Sequence, residues 1–394
     1  MLRRERQVAL RDSIAYFVVE PSVQRDVNQR ACSEAESPRP RPGDPRRRHF
    51  LRAGTLCSLG AGLAAALPAA AARMSPSPLA RVRGGRIAGQ TEHGIHVFRG
   101  IPYGADTAPR RFQQAVQEAP WRGVRDALAW GPAAPQTSGE GPGSEDCLYL
   151  NVWTPALRDG GRRPVLVYLH GGAYNNGSGS DPLYDGSALC RRGDVVVVTV
   201  NHRLNVFGYL YLGGLGGEAF ADSGNAGQLD LVQALQWVRQ HAVEFGGDPG
   251  NVTVFGQSGG GAKIATLMAM PAAQGLFHRA WTMSGQQVTA AGPRAATQRA
   301  RRVLEHFGLR EPQALRTLPM EALLEAVKLR DPSWVEDTGL YFGPVLDARH
   351  LPTHPFWPQA PLQSAAIPMV IGNTRDETRA FLGHDPRNFA LDWE

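Results

Sequence analysis

Residues Val252–Gly260 read Val-Thr-Val-Phe-Gly-Gln-Ser-Gly-Gly, and this stretch decides the fold. A short apolar run ends at Phe255, and a helix-compatible segment starts at Gly259. The G-x-S-x-G pattern around Ser258 in this context predicts a sharp strand-to-helix turn, which strains the serine and requires glycine beside it. Such a turn lifts the serine hydroxyl above the sheet edge, at a helix N-terminus that favours developing negative charge. The alternative is a glycine-rich helix N-terminus with Ser258 as its cap.

The chain around this turn alternates apolar runs with helical patterns. Continuous apolar runs bounded by Pro or Gly suit strands that are buried on both faces of a parallel sheet. The runs cover residues 148–153, 164–169, 195–200, 252–255, 280–283 and 367–371, and the helical patterns cover residues 228–244, 259–270, 293–307 and 319–329. This alternation predicts an α/β fold, with a mostly parallel sheet and helices on both faces. Residues 82–86 and 94–98 are expected to pair as early strands, and residues 102–143 to form a loop region.

A glycine-rich segment, His170-Gly171-Gly172-Ala173, directly follows the run at 164–169. Backbone N–H groups that already point at a carbonyl oxygen stabilise the alkoxide formed during acyl transfer. Gly171, Gly172 and Ala173, together with Gly259 after the serine, are therefore candidate oxyanion donors. The alternative is an ordinary glycine turn. We interpret His170 as a residue that packs and orients this loop, not as a catalytic base.

Further motifs follow one another along the chain. They are Phe98-Arg-Gly-Ile-Pro-Tyr103, Ser144-Glu-Asp-Cys-Leu-Tyr-Leu-Asn-Val-Trp153, Asn201-His-Arg-Leu204, Gly224-Asn-Ala-Gly227 with Asp230, Phe245-Gly-Gly-Asp-Pro249, Leu276-Phe-His-Arg279 and Ser284-Gly285. With the His170 loop and the Ser258 turn, they make residues 73–394 resemble the type-B carboxylesterases, which include bacterial para-nitrobenzyl esterases and the cholinesterases. The resemblance implies an α/β-hydrolase fold and hydrolysis of small-molecule carboxylic esters through a serine acyl-enzyme. It implies no metal and no cofactor.

The resemblance also implies an acidic partner for the catalytic histidine. The family's Gly-x-x-x-Asp-Glu segment matches Gly372-Asn-Thr-Arg-Asp-Glu377, just past the run at 367–371. Glu377 would orient the histidine and stabilise its imidazolium. The alternative is a surface glutamate beside Arg375 and Arg379.

The family's histidine segment has no counterpart after Glu377. In this fold the histidine follows the acid in sequence. Residues 378–394 are too few to hold a helix of about 11 residues, a strand of about 5 residues and the loop beyond them. His384 lies too close to Glu377, and His278, His350 and His354 are not placed to replace it. We therefore expect a C-terminally truncated esterase with impaired activity, and the alternative is a binding protein on the same scaffold.

Residues 1–72 differ in composition from the rest of the chain. They carry most of the net charge of +6, so the remainder is nearly neutral, which argues against a nucleic-acid partner. The pair Arg47-Arg48, an apolar run and a final alanine cluster resemble a twin-arginine export signal. This predicts a leader at 1–72 and a periplasmic or secreted protein. A disordered basic tail is the alternative, and Gly60, Gly62 and Pro68 in a short run disfavour a membrane anchor.

Cysteine and lysine are both scarce in this chain. Cys147 and Cys190 alone fall after the leader, which excludes a disulfide framework or a zinc cluster. Ala134 stands where many family members have a cysteine that pairs with the one at Cys147, so we expect a buried free thiol there. Lysine occurs only at Lys263 and Lys328, which we interpret as coding bias. Trp334 and Tyr341 are candidates for the substrate gorge or for core packing.

Overall fold

The computed structural model describes residues 77–138, 143–331, 339–377, 383 and 386–390. The predicted leader at 1–72, with its Arg47-Arg48 pair, lies outside the described residues, as do Trp334, Arg379 and His384. Within the described ranges, no helix has both the length and the apolar character needed to cross a membrane.

The strands form one large and one small sheet. They are β1 (Leu79–Val82), β2 (Gly85–Ala88), β3 (Gln90–Glu92), β4 (Ile95–Pro102), β5 (Val124–Asp126), β6 (Tyr149–Thr154), β7 (Arg163–Leu169), β8 (Val196–Val200), β9 (Gly247–Gln257), β10 (Arg279–Met283) and β11 (Met369–Gly372). The large sheet has the order β11-β10-β9-β7-β8-β6-β4-β3, and the small one β1-β2-β5. From β11 to β8 the neighbouring strands are parallel, whereas β6, β4 and β3 are antiparallel. The mostly parallel sheet predicted from the apolar runs is therefore confirmed.

Helices cover both faces of this sheet. They are α1 (Ser187–Gly193), α2 (Asn205–Tyr209), α3 (Gly213–Gly216), α4 (Ala226–His241), α5 (Gly259–Ala269), α6 (Pro293–His306) and α7 (Met320–Leu324). Strand β8 shows the two faces, because its side chains alternate between them. Val196 and Val198 belong to the core cluster that includes α4 and α5, whereas Val197 packs in a second cluster with Cys190 of α1. A strand buried on both sides has no solvent-facing side, which explains why four of its five residues are valine and the fifth is the buried Thr199.

The N-terminal strands differ from the expectation. Residues 82–86 do not form one strand, because Arg83 and Gly84 make a turn between β1 and β2. Strand β2 pairs with β1 and β5, and β4 pairs instead with β3 and β6, so the predicted pairing of 82–86 with 94–98 is wrong. The region 102–143, expected to be loop, contains β5, whose three exposed residues gave no apolar signal.

Buried polar contacts fix the segments that connect strands and helices. Arg203, just after β8, forms two hydrogen bonds to the carboxylate of Asp230 on α4, of 2.8 Å from Nε and 2.6 Å from Nη2. Both side chains are almost fully buried, so this bidentate pair anchors the segment after β8 to the helix. Cys147 and Cys190 are free and buried, which confirms the free thiol expected at Cys147.

Candidate active site

Ser258 joins the end of β9 to the start of α5 in a strained conformation. Its backbone angles are φ 54° and ψ −125°, a combination that non-glycine residues rarely adopt. Its N–H donates a hydrogen bond of 2.8 Å to the carbonyl oxygen of Met283, at the end of the neighbouring strand β10. The side chain is half-buried at the C-terminal edge of the sheet. The geometry is the sharp strand-to-helix turn that the sequence predicts.

The glycines around Ser258 are required by close backbone contacts. A Cβ atom on Gly256 would lie 2.6 Å from the carbonyl oxygen of Leu169, and one on Gly260 would lie 2.0 Å from the same oxygen. Leu169 is the last residue of β7, so the turn packs directly on the strand that leads into the His170 loop. A side chain at either position would push these two segments apart.

The segment Gly171–Ala173 lies against the first turn of α5. Gly172 and Ala173 both have positive φ, of 81° and 51°, which bends the backbone back towards Ser258. A Cβ on Gly259 would lie 2.2 Å from the carbonyl oxygen of Ala173, and one on Gly171 would lie 3.5 Å from the Cβ of Ser258. The structure thus brings the four predicted oxyanion residues together beside the serine. Among the described residues, no acceptor takes a hydrogen bond from the N–H groups of Gly172, Ala173 or Gly259.

His170 is completely buried beside this segment. Its Nδ1 lies 2.9 Å from the carbonyl oxygen of Gly171, and its ring packs on that of His202 with centroids 4.7 Å apart. Burial, and then the charge of Lys263, hold the pKa of His170 well below its usual value. A neutral ring with these contacts agrees with the expectation that His170 packs and orients the loop.

Glu377 lies beyond the end of β11, on the same sheet edge as Ser258. Strand β10 separates β11 from β9, and its continuation, Ser284, donates its backbone N–H to Gly372 at 2.7 Å. The Thr374 hydroxyl donates a 2.7 Å hydrogen bond to Glu377, and bonds from Thr374 and then Ser284 lower the pKa of this carboxyl group. Arg375 pairs instead with Asp376, at 3.2 Å.

An open cleft of about 560 Å³ separates the two segments that meet at this edge. Ser284, Gly285 and Gln286 line one side, and residues 373–377 line the other. The arrangement places a carboxylate with two hydroxyl partners at the sheet edge where the Ser258 turn also lies. The contact of Ser284 with Glu377 could not be read from the sequence, because it joins segments that follow two different strands. The contact of Thr374 with Glu377 is local, between residues three apart.

Histidine is the third residue type that the sequence analysis sought beside Ser258 and Glu377. The sequence has eleven histidines, of which His49 and His384 lie outside the described residues. Of those described, His278 accepts from the N–H of Val252, His350 bonds Asp222, and His354 accepts from the N–H of Ala290. Within the described ranges, no hydrogen bond joins a histidine to Ser258 or Glu377, and no group of three His, Cys, Asp or Glu side chains could hold a metal ion.

Tyr174, which follows Ala173, contacts Tyr341. Its ring lies 6.4 Å from that of Tyr341 in an edge-to-face arrangement, and Arg299 lies 5.5 Å from the Tyr341 ring. Tyr341 therefore lies against Tyr174, the residue that follows the Gly171–Ala173 segment. Lys263 of α5 was not singled out as a site residue, yet its side chain lies beneath the same segment.

Comparison with known proteins places this geometry in context. Residues 76–392 match the carboxylesterase family. The para-nitrobenzyl esterase of Bacillus subtilis is 44% identical over 76% of this chain and 63% of its own length. The phenmedipham hydrolase of Pseudarthrobacter oxydans is 38% identical over 80% of this chain and 64% of its own length. The chain thus spans less than two thirds of these relatives.

Solved structures agree with these matches. A carboxylesterase of Geobacillus stearothermophilus superposes with a TM-score of 0.72 at 43% identity, covering 80% of this chain and 65% of that protein. A para-nitrobenzyl esterase structure gives a TM-score of 0.72 at 42% identity, over 79% of this chain and 66% of its own. The α/β-hydrolase fold expected from the sequence is therefore confirmed, and the chain belongs to the carboxylesterase family.

Proposed function

We propose that this chain carries the nucleophile and oxyanion donors of a hydrolase of small carboxylic esters. The observation that carries the proposal is the contact between two backbone segments: the strained turn at Ser258 and the positive-φ segment Gly171–Ala173. Gly259 belongs to the first segment and packs on Ala173 of the second. One side-chain hydroxyl thus lies beside several N–H groups that are free to donate hydrogen bonds to a developing oxyanion.

The proposed reaction proceeds in two steps. The Ser258 oxygen attacks the ester carbonyl carbon, its proton passes to a general base, and the negative charge moves to the carbonyl oxygen. The N–H groups of Gly172, Ala173 and Gly259 stabilise this oxyanion, the base returns its proton to the leaving alkoxide, which departs as the alcohol, and an acyl-serine remains. Water then attacks the acyl-serine and releases the acid. Glu377, ionised and held by two hydroxyl groups, orients the protonated base.

A hydrolysis panel tests this proposal. Nitrophenyl esters of increasing acyl length would be offered to the wild type and to Ser258→Ala, and nitrophenol release followed by absorbance. We expect turnover above the Ser258→Ala background with at least one ester of the panel. Equal rates for the two proteins with every ester would contradict catalysis by Ser258 in this chain.

A second candidate is ester binding without turnover. It is favoured by the histidine contacts, since no histidine of the described part is hydrogen-bonded to Ser258. Calorimetric titration of a non-hydrolysable ketone analogue into both proteins separates the two functions. Binding of equal strength with no turnover in the panel supports this candidate over the first.

The leader motif adds a proposal on location. The Arg47-Arg48 pair, followed by an apolar run that ends in alanines, supports export by a twin-arginine route. Fusion of residues 1–75 to a reporter tests this, with the Arg47→Lys, Arg48→Lys double variant as control. Export of the reporter from the wild-type fusion alone is the expected result.

A further inference from the structure

Lys263, near the start of α5, contacts the residues on either side of the Gly171–Ala173 segment. The side chain is completely buried, and its Nζ donates a hydrogen bond of 2.9 Å to the carbonyl oxygen of His170. The same Nζ lies 5.8 Å from the centre of the Tyr174 ring. His170 and Tyr174 are the residues immediately before and after Gly171–Ala173. One side chain therefore spans the backbone that carries three of the four candidate oxyanion donors.

A cation is costly at this position. Burial disfavours the charged form, and the first turns of a helix already carry partial positive charge. The charged or titratable groups that face Lys263 are His170, His202 and Tyr174, and no salt bridge joins it to a carboxylate among the described residues. Burial accordingly lowers the pKa of Lys263 to about 7.

Composition alone does not explain this lysine. The only other lysine, Lys328, is exposed and pairs with Glu325 on the surface. A methionine or leucine in place of Lys263 would fill the same volume with no buried charge. Coding bias explains why lysine is scarce in this chain, but it does not explain Lys263. There, an ionisable side chain is buried in an apolar helix, which costs stability.

We propose that Lys263 is a positioning residue that holds the Gly171–Ala173 backbone in place for the reaction of Ser258. The carbonyl of His170 and the nitrogen of Gly171 belong to one planar peptide group. The hydrogen bond from Lys263 to this carbonyl therefore fixes the orientation of the peptide group with which the Gly171–Ala173 segment begins. Contact with Tyr174 restrains the other end. This inference rests on the proposed function, because it assigns Lys263 a part in the same oxyanion site.

The predicted signature is a defect in the chemical step and not in binding. Donors that are aimed at the oxyanion act in the transition state, so their misplacement lowers the maximal rate and leaves ground-state binding unchanged. Lys263→Met removes the donor while keeping the length of the apolar stem. Lys263→Arg retains a donor, and Lys328→Met is the matched control for loss of a lysine.

The experiment measures labelling of the full chain by a fluorophosphonate at several concentrations. We expect the maximal labelling rate of Lys263→Met to fall roughly 10- to 1,000-fold, as for loss of an oxyanion donor. The half-saturating probe concentration and the final labelled fraction should stay unchanged, and Lys263→Arg should recover part of the rate. Hydrogen exchange of the 170–174 backbone should become faster in Lys263→Met and stay unchanged in Lys328→Met.

The outcomes separate this inference from the proposed function. A wild-type labelling rate with unchanged exchange in Lys263→Met overturns the inference, as does a lower labelled fraction at an unchanged rate, which indicates a role in folding alone. If the wild type labels no faster than Ser258→Ala, the proposed function fails, and hydrogen exchange alone then decides the role of Lys263. If Lys263→Met does not fold, Lys263→Gln, with its shorter side chain out of reach of His170, is measured in its place.

Discussion

The backbone N–H of Ser258 donates to the carbonyl oxygen of Met283 at 2.8 Å, which fastens the residue before α5 to the end of β10. The chain turns after Met283, and the backbone of Gly285 packs directly against the backbone of Ser258. A Cβ on Gly285 would lie 1.8 Å from the carbonyl oxygen of Ser258. The strained backbone of the serine, with φ 54°, is therefore held by a neighbouring strand as well as by its own.

Gly285→Ala should displace the backbone of Ser258, because the added methyl group meets a backbone atom that cannot rotate away. We expect phosphonate labelling to slow by at least about tenfold, since small displacements of a nucleophile are costly. Gly292→Ala is the matched control, because a Cβ there has no atom within 4 Å. Equal labelling rates for the two variants would contradict the contact.

The stability of the protein should rise with pH above neutrality because of Lys263. In the native state its pKa is about 7, whereas the ordinary value is 10.5, so between these pH values the unfolded chain retains a proton that the native protein has released. The free energy of unfolding therefore increases across this window, by up to roughly 5 kcal/mol. Below it, both states are protonated, and the full cost of the buried charge remains.

Lys263→Met should flatten this pH dependence and raise the stability near neutrality. Urea denaturation at several pH values between about 7 and 10.5 measures the effect, with Lys328→Met as control. A wild-type slope that persists unchanged in Lys263→Met would show that another group causes it.

Asp230→Asn should strongly destabilise the fold. The substitution leaves the Arg203 guanidinium buried without its counter-charge, and such losses cost about 3–5 kcal/mol. The exposed pair of Lys328 and Glu325 offers the control, since Glu325→Gln should cost less than about 1 kcal/mol. Chemical denaturation at neutral pH gives both values. Comparable losses in the two variants would mean that the Arg203–Asp230 pair adds nothing beyond a surface contact.

Thr374→Val should raise the pKa of Glu377. The Thr374 hydroxyl is the first cause of the lowered pKa, and Ser284 supplies a second hydrogen bond. A carboxylate with fewer donors gains a proton at higher pH. The chemical shift of the labelled carboxyl carbon, followed by NMR during acid titration, reports the midpoint. An unchanged midpoint would place the Thr374 hydroxyl elsewhere in solution.

The sequence predicted best where one residue pattern had one structural solution. The run of β8 is valine at every position except the buried Thr199, which suits a strand covered on both faces, and its bounds were predicted within one residue. The exposed β5 is held by pairing with β2, so its own sequence carried no strand signal. The turn at Arg83-Gly84 divides the strand predicted at residues 82–86. The residues on its two sides pair with each other as the hairpin β1–β2 and do not continue as one strand.

The site was predictable in its backbone but not in its supporting side chains. The glycines around Ser258 and after His170 indicated strained turns, and the structure brings these turns into contact. The contacts of Glu377 with Ser284, and of Lys263 with His170, depend on which strands become neighbours. One signal was present for Lys263: a lysine within the apolar sequence Ala262–Met270 is unusual unless it has a buried acceptor.

We propose that Ser258 is a nucleophile beside preformed oxyanion donors. The most direct measurement is fluorophosphonate labelling of the full chain, followed by mass mapping of the modified peptide. We expect a single adduct on the peptide that contains Ser258, with labelling abolished in Ser258→Ala and retained in Ser187→Ala, at the first residue of α1. Equal labelling of wild type and Ser258→Ala, or an adduct on any other residue, would contradict it.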